Sequence, residues 1–192
     1  WDADHSVSFV TTYCQSFAEA NRFWDTDKLC QCYIVALGVN DLFGRKMPVG
    51  TVDDLNMDDY EQNNPDTFAG WYGRVLQRYR AMQPKSRFFL MTMLRTGDPA
   101  HDAVVDAHAK LLYALAEKFE FMYVIDFAKY GPVQDAEYHR NFYLGGHLNA
   151  AGYLLTSRML AAYMDYIIRN HPEDFSQVGF IGHPFHNKDA KW

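Results

Sequence analysis

Two short stretches of this chain contain residue types, at telling positions, that could perform acyl chemistry. The first is Gly38-Val39-Asn40-Asp41, which follows the apolar run at residues 32–37. A side-chain amide held where a strand ends can donate a hydrogen bond to an oxygen that gains charge in a transition state. Asn40 is read as that donor, with Gly38 and Asp41 beside it in the cleft. Gly-x-Asn-Asp is also ordinary turn chemistry, and the second stretch shifts the balance. Residues 143–153 read Tyr-Leu-Gly-Gly-His-Leu-Asn-Ala-Ala-Gly-Tyr, which sets His147 on a glycine-rich loop two residues before Asn149, a helix-capping type. An imidazole with an ordinary pKa of about 6.5 can take a proton from a serine hydroxyl and return it to a leaving group. The remaining histidines read as structure: His108 falls on the apolar side of a helical pattern, while His5, His101, His139 and His171 read as surface residues.

The elements that must position these groups follow from periodicity. Residues 32–37 (CYIVAL), 87–93 (RFFLMTM) and 121–126 (FMYVID) are short, continuously apolar runs, as expected of strands buried on both faces. Helical patterns lie between them: Phe68, Trp71, Tyr72, Val75 and Tyr79 after Asn64-Pro65-Asp66, and Val104, His108, Leu111, Leu115 and Phe119 after Asp98-Pro99. Phe9, Tyr13, Phe17 and Trp24 mark an earlier amphipathic helix. A last helix is predicted over 149–170, with Leu155, Met159, Ala162 and Tyr166 on one face and a stop at His171-Pro172. Strands and helices alternating in this way build βαβ units, so the expected fold class is α/β with a parallel sheet between helices. Ligands of such folds bind beyond the carboxyl ends of the strands. That rule points to Gly38–Asp41, to Leu94-Arg95-Thr96 and to Asp126-Phe127.

Composition bounds the rest. The 192 residues are 48% hydrophobic and 16% aromatic, which suits one domain with a substantial core. Residues 41–67 read as an acidic loop with some local order, and 172–192 as an aromatic tail that wraps the body. The formal charge of −6 and the lack of a long basic run argue against nucleic acid as a partner. No apolar stretch approaches the ~18 residues of a membrane span, and no signal is visible at the start, so neither membrane insertion nor export is expected and a cytoplasmic location is favoured. Cys14, Cys30 and Cys32 are odd in number and lack C-x-x-C spacing, which indicates reduced thiols. Asp54-Leu-Asn56-Met-Asp58 opens like a calcium loop but has Asp59 where the glycine belongs and Pro65 where the final glutamate belongs. His183 and His186 flank Pro184-Phe185 in the tail and read as structural; a metal-dependent hydrolase joining them to His147 is a third-ranked alternative. No metal or organic cofactor is expected.

The segments YIVALGVND and GGHLNAAGY, in this order and about a hundred residues apart, resemble the oxyanion-hole and general-base blocks of SGNH hydrolases, the GDSL-like esterases and lipases. Within that superfamily the chain is most similar to a bacterial group with an ALGVND run, then a helix bearing Thr67, Phe68, Gly70 and Tyr72, then QPKSRFFLMTM and FYLGGHLNAAGY. The likeness runs from about residue 8 to residue 182. It implies a three-layer αβα, flavodoxin-like fold, an Asn40 oxyanion donor, a His147 base, and a small-molecule or glycan ester as substrate. Three features depart from the pattern. No Gly-Asp-Ser block precedes, and Ser6 and Ser8 lack both the preceding strand and the Gly-Asp. The second block is unrecognisable, with WDADHSVSF as its altered or trailing remnant. Leu144 stands three residues before His147, where an acid belongs; Asp126, Asp135 and Glu137 are the substitutes nearest in sequence, with a main-chain carbonyl as another. The expected N-terminal strands are thus missing, residues 32–37 should present an unpaired edge, and a missing N-terminal segment or a partner chain is expected to carry the nucleophile. An inactive SGNH-like binding or assembly module is the main rival to a working serine esterase.

Overall fold

A computed structural model describes Cys14 and residues 32–60 and 64–175. The predicted helix through Phe9, Tyr13, Phe17 and Trp24, together with Ser6, Ser8, Cys30, His183 and His186, lies outside the described residues, as does the tail beyond residue 175.

Three parallel strands form the centre: β1 (Cys32–Val35), β2 (Arg87–Met91) and β3 (Met122–Ile125), in the spatial order β1-β2-β3. Cys32 pairs with Arg87 and Phe88 with Met122, so the three strands run in step and their carboxyl ends open at one end of the sheet. The crossovers are the helices α1 (Phe68–Met82) and α2 (Pro99–Lys118). Each starts on a polar cap that satisfies a first-turn amide: Thr67 accepts from the Gly70 N–H, and Asp98 from the His101 N–H with Pro99 following it. After β3 come α3 (Phe127–Tyr130) and α4 (Ala136–Phe142), then a hairpin of β4 (Tyr143–Leu144) and β5 (His147–Leu148). The long helix α5 (Ala150–Asn170) and a single turn, α6 (Pro172–Phe175), end the described chain.

Alternation along the strands sends successive side chains to opposite cores. Phe88, Leu90, Met122 and Val124 join Phe68, Tyr72, Leu76, Leu112 and Leu115 in the larger cluster under α1 and α2. Phe89 and Ile125 join Phe127, Ile167 and Phe175 in the smaller cluster under α5, with Met91 and Tyr123 packed alongside. Helices therefore cover both faces of the sheet, a mixed α/β arrangement compatible with αβα layering.

Two expectations need correction. β1 is not buried on both faces: Val35 is buried, but Ile34 is 47% exposed. Its register neighbour Phe89 is sealed by the α5 cluster, whereas among the described residues no strand pairs with the outer edge of β1. The sheet-facing stripe of α5 is also rotated from the predicted one. Met159, Leu160, Tyr163, Met164 and Ile167 meet the core, while Ala162 is exposed and Tyr166 is 64% exposed. Residues 41–67 hold the expected local order, including a 3₁₀ turn at Val52–Asp54 closed by a Thr51–Asp54 capping box. Asn56 caps that loop's next bend by accepting from the Asp58 and Asp59 amides. No described helix is long and apolar enough to cross a membrane.

Candidate active site

The chain leaves β1 through Ala36-Leu37 and turns at Gly38, whose φ of +141° is a conformation other residues rarely adopt. Gly38 is buried, and a Cβ there would stand 2.9 Å from Nε2 of His108. Its carbonyl accepts from the Leu42 N–H at 2.8 Å, and the Asn40 carbonyl accepts from the Arg45 N–H at 2.9 Å, winding residues Asn40–Gly44 into a π-helical turn. Asn40, the first residue of that turn, is exposed. Asp41 is wholly buried: Oδ1 accepts from the Cys14 N–H at 3.0 Å, and Oδ2 has no well-formed hydrogen bond among the described residues. Burial raises its pKa, against the pull of the Cys14 amide and the charge of Arg45. Asp41 thus ties the turn to the chain near Cys14 and does not face a cleft.

His108 stands behind this turn. It is fully buried, its ring lies 5.2 Å from that of Phe68, and neither ring nitrogen makes a well-formed hydrogen bond, the Leu37 backbone offering only a weak one. Desolvation holds its pKa down at about 4. A neutral core histidine is what its place in the α2 pattern implied.

His147 sits on the returning strand of the hairpin, opposite Leu144. Asn149 fastens the end of that hairpin three ways. Its N–H donates to the Phe142 carbonyl at 2.8 Å, its Nδ2 donates to the Asn141 carbonyl at 2.8 Å, and its Oδ1 caps α5 by accepting from the Gly152 N–H at 2.9 Å. Gly152 is required by close approach, since a Cβ there would come within 2.5 Å of the Phe142 carbonyl oxygen. The imidazole of His147 is exposed, and among the described residues it has no hydrogen-bond or ion-pair partner.

None of the three sequence-nominated acids serves it. Asp126 is buried and spends Oδ1 on capping α3, where the Lys129 N–H donates at 3.0 Å, while Oδ2 accepts from the Tyr113 hydroxyl at 2.8 Å. Burial, and then that contact, push the Tyr113 phenol above its ordinary range. Asp135 caps α4 by accepting from the Tyr138 N–H at 2.8 Å, and Glu137 faces Arg140 at 3.5 Å on the exposed side of that helix. Leu144 is 80% exposed.

A cavity of about 330 Å³ opens at the carboxyl end of β2. It is lined by Met91, Thr92, Met93 and Leu94, by Phe127, by Val39 and Phe43 at and within the π-helical turn, and by Leu148 of the hairpin. The two predicted segments therefore contribute adjacent residues to one cavity: Val39 precedes Asn40, and Leu148 follows His147. Asn40 and His147 are not themselves among its lining residues, as side-chain alternation along β5 requires of His147 if Leu148 faces inward. The loop after β2 is braced for this. Arg95 Nε donates to the Ala128 carbonyl at 2.9 Å and its guanidinium pairs with Asp106, while the carboxylate of Asp102 accepts from the amides of Thr96 and Gly97.

Two further cavity residues, His101 and His139, were assigned to the surface by sequence. His101 stacks on Phe43 with ring centres 3.7 Å apart, and its Nδ1 is buried without a hydrogen-bond partner among the described residues. His139 is exposed overall but stacks on Tyr143 at 4.1 Å. For His101 the signal was present, because it lies in the first turn of the helix that follows a strand-end loop. His139 has no such signature. A more open groove of about 520 Å³ between α3 and α5, lined by Phe127, Tyr130, Met159, Tyr163 and Tyr166, includes the strand-end residue Phe127 but none of Asn40, His147, Asp126, Asp135 and Glu137. The described groups nearest to a metal-binding arrangement are His171, Glu173 and Asp174, with ligand atoms within 4.8 Å of one another; Asp174 already accepts from the Tyr123 hydroxyl, and Glu173 stands 3.9 Å from His171. Compared with protein-family models, curated proteins and solved structures, the chain finds no match.

Proposed function

We propose that this chain supplies the oxyanion and general-base arms of an SGNH-type serine esterase, with the nucleophile carried by a segment or chain outside this sequence. The supporting observation is that residues adjacent to Asn40 and His147 line one cavity beyond the carboxyl ends of parallel strands, the place where α/β folds bind ligands. In this reading a serine Oγ attacks the ester carbonyl carbon and passes its proton to His147. Asn40 donates to the oxygen that becomes negative. The tetrahedral adduct collapses, the C–O bond to the alcohol breaks, and the alcohol leaves with the proton from His147. Water then attacks the acyl-enzyme, again through His147, releasing the carboxylic acid and restoring the serine.

The test is turnover of p-nitrophenyl acetate by full-length protein. His147→Ala should lower kcat by about 10²–10⁴-fold, and Asn40→Ala by about 10²–10³-fold. Parent and both variants hydrolysing at the same rate would remove the proposal.

A second reading has its own support. No acid orients the exposed His147 ring among the described residues, and Asp126, Asp135 and Glu137 are committed elsewhere. A module that keeps the cleft for binding alone needs no such partner, and it predicts no turnover in the parent.

A further inference from the structure

The lining of the β2-end cavity carries a message about substrate. Its apolar arc is built by Val39, Phe43, Met91, Met93, Leu94 and Phe127. Among the described residues its ionisable lining is limited to His101, His139 and Tyr143, with no Asp, Glu, Lys or Arg. Several of its polar groups are already engaged. Thr92 Oγ1 accepts from the Ala128 N–H at 2.8 Å, Thr96 Oγ1 from the Asp98 N–H at 3.3 Å, and Gln134 Nε2 donates to the Tyr143 hydroxyl at 2.8 Å. Apart from the single open nitrogen of His101, a sugar would have to break such bonds or leave its own hydroxyls unpaired, each at a desolvation cost. An alkyl chain needs neither.

We propose that this cavity holds the acyl chain of the ester, and that the preferred chain is unbranched, aliphatic and about eight carbons long. This rests on the esterase reading above, which places the carbonyl between Asn40 and His147. The chain neighbours of both, Val39 and Leu148, line the cavity, which sets it beside that carbonyl position. Size sets the length: about 330 Å³ accommodates roughly eleven groups of ~30 Å³, the volume of one water, which leaves an eight-carbon chain room to bend. Met91 and Met93 are unbranched and adapt their shape to such a guest.

The experiment compares kcat/KM of the full-length enzyme across p-nitrophenyl acetate, butyrate, octanoate and palmitate. We expect a rise of up to about fourfold per added methylene as far as octanoate, then a fall at palmitate. Thr156, on α5, also lines the cavity, and Thr156→Trp should cut the octanoate-to-acetate ratio at least tenfold. Leu94→Phe is the milder second variant, expected to move the optimum to a shorter chain. A flat profile in an active enzyme, or a ratio untouched by both variants, overturns the acyl-pocket assignment while leaving the esterase reading intact. Should no ester be hydrolysed, titration calorimetry with octanoate separates the two ideas. Binding that Thr156→Trp abolishes upholds the pocket and rejects the esterase; absence of binding rejects the pocket as well.

Discussion

Lowering the pH should weaken this fold through His108, and the size of the effect follows from its surroundings. The ring is sealed between α2 and the turn at Gly38, with burial as the leading cause of a pKa near 4 instead of the ordinary 6.5. Because the folded-state pKa is depressed, the unfolded chain binds more protons between those two values, so stability falls as pH drops through that window. Working the linkage for one site, the loss between about pH 7 and pH 4.5 is on the order of 2 kcal/mol, rising to roughly 3 kcal/mol below the lower pKa. Asp41 acts in the opposite direction, since its raised pKa favours the protonated form that low pH supplies. A control variant is therefore required, and His108→Leu, which keeps most of the volume, provides it. Urea unfolding of parent and variant at both pH values gives four free energies. The parent should lose about 2 kcal/mol more than His108→Leu over this range. Equal losses in the two proteins would refute the claim that a buried neutral imidazole sets this part of the acid response.

Two further outcomes test how the candidate site is held. Gly38→Ala should cost about 2–5 kcal/mol, combining backbone strain at φ +141° with the collision against His108 Nε2 at 2.9 Å; chemical denaturation measures it, and a loss under about 1 kcal/mol would show that the turn relaxes freely. Asn149→Ala removes the α5 cap and the tie to Asn141 and should lower stability by about 1–2 kcal/mol. Asn149→Asp keeps the capping oxygen and should recover most of that in a thermal melt, an outcome that fails if the two variants melt together.

Much of the fold was legible along the chain because local chemistry and hydrophobic period agree there. Asp98 and Asn149 cap helices for the reason their side chains suggest: each offers an oxygen to an amide that the first turn leaves unpaired. Three apolar runs separated by helical patterns gave three parallel strands, with boundaries within a residue or two. The face of α5 was not legible in this way. Ala161, Ala162, Tyr163, Met164 and Tyr166 surround that helix with apolar or aromatic groups, so more than one stripe satisfies the period, and only the position of the sheet selects the Met159–Tyr163–Ile167 side.

The candidate site divides along the same line. Residue type nominated both Asn40 and His147, with a strand-end position for the first and a glycine-rich loop before a helix cap for the second, because an amide or imidazole in a short loop needs no distant partner to be noticed. What the acids do required the folded chain. Asp126 sits where a strand ends and could equally have oriented an imidazole or capped a helix, and the arrival of Tyr113 and the Lys129 amide settles it as a cap. Likewise His101 meets the ring of Phe43 only once a remote turn is folded against α2, and the 47% exposure of Ile34, on the outermost described strand, is not visible in an apolar run. Sequence determines which groups a segment can offer, since that depends on covalent structure and local backbone preference. Tertiary structure decides which solvent, charge or ring each group meets, since those neighbours come from segments tens of residues away.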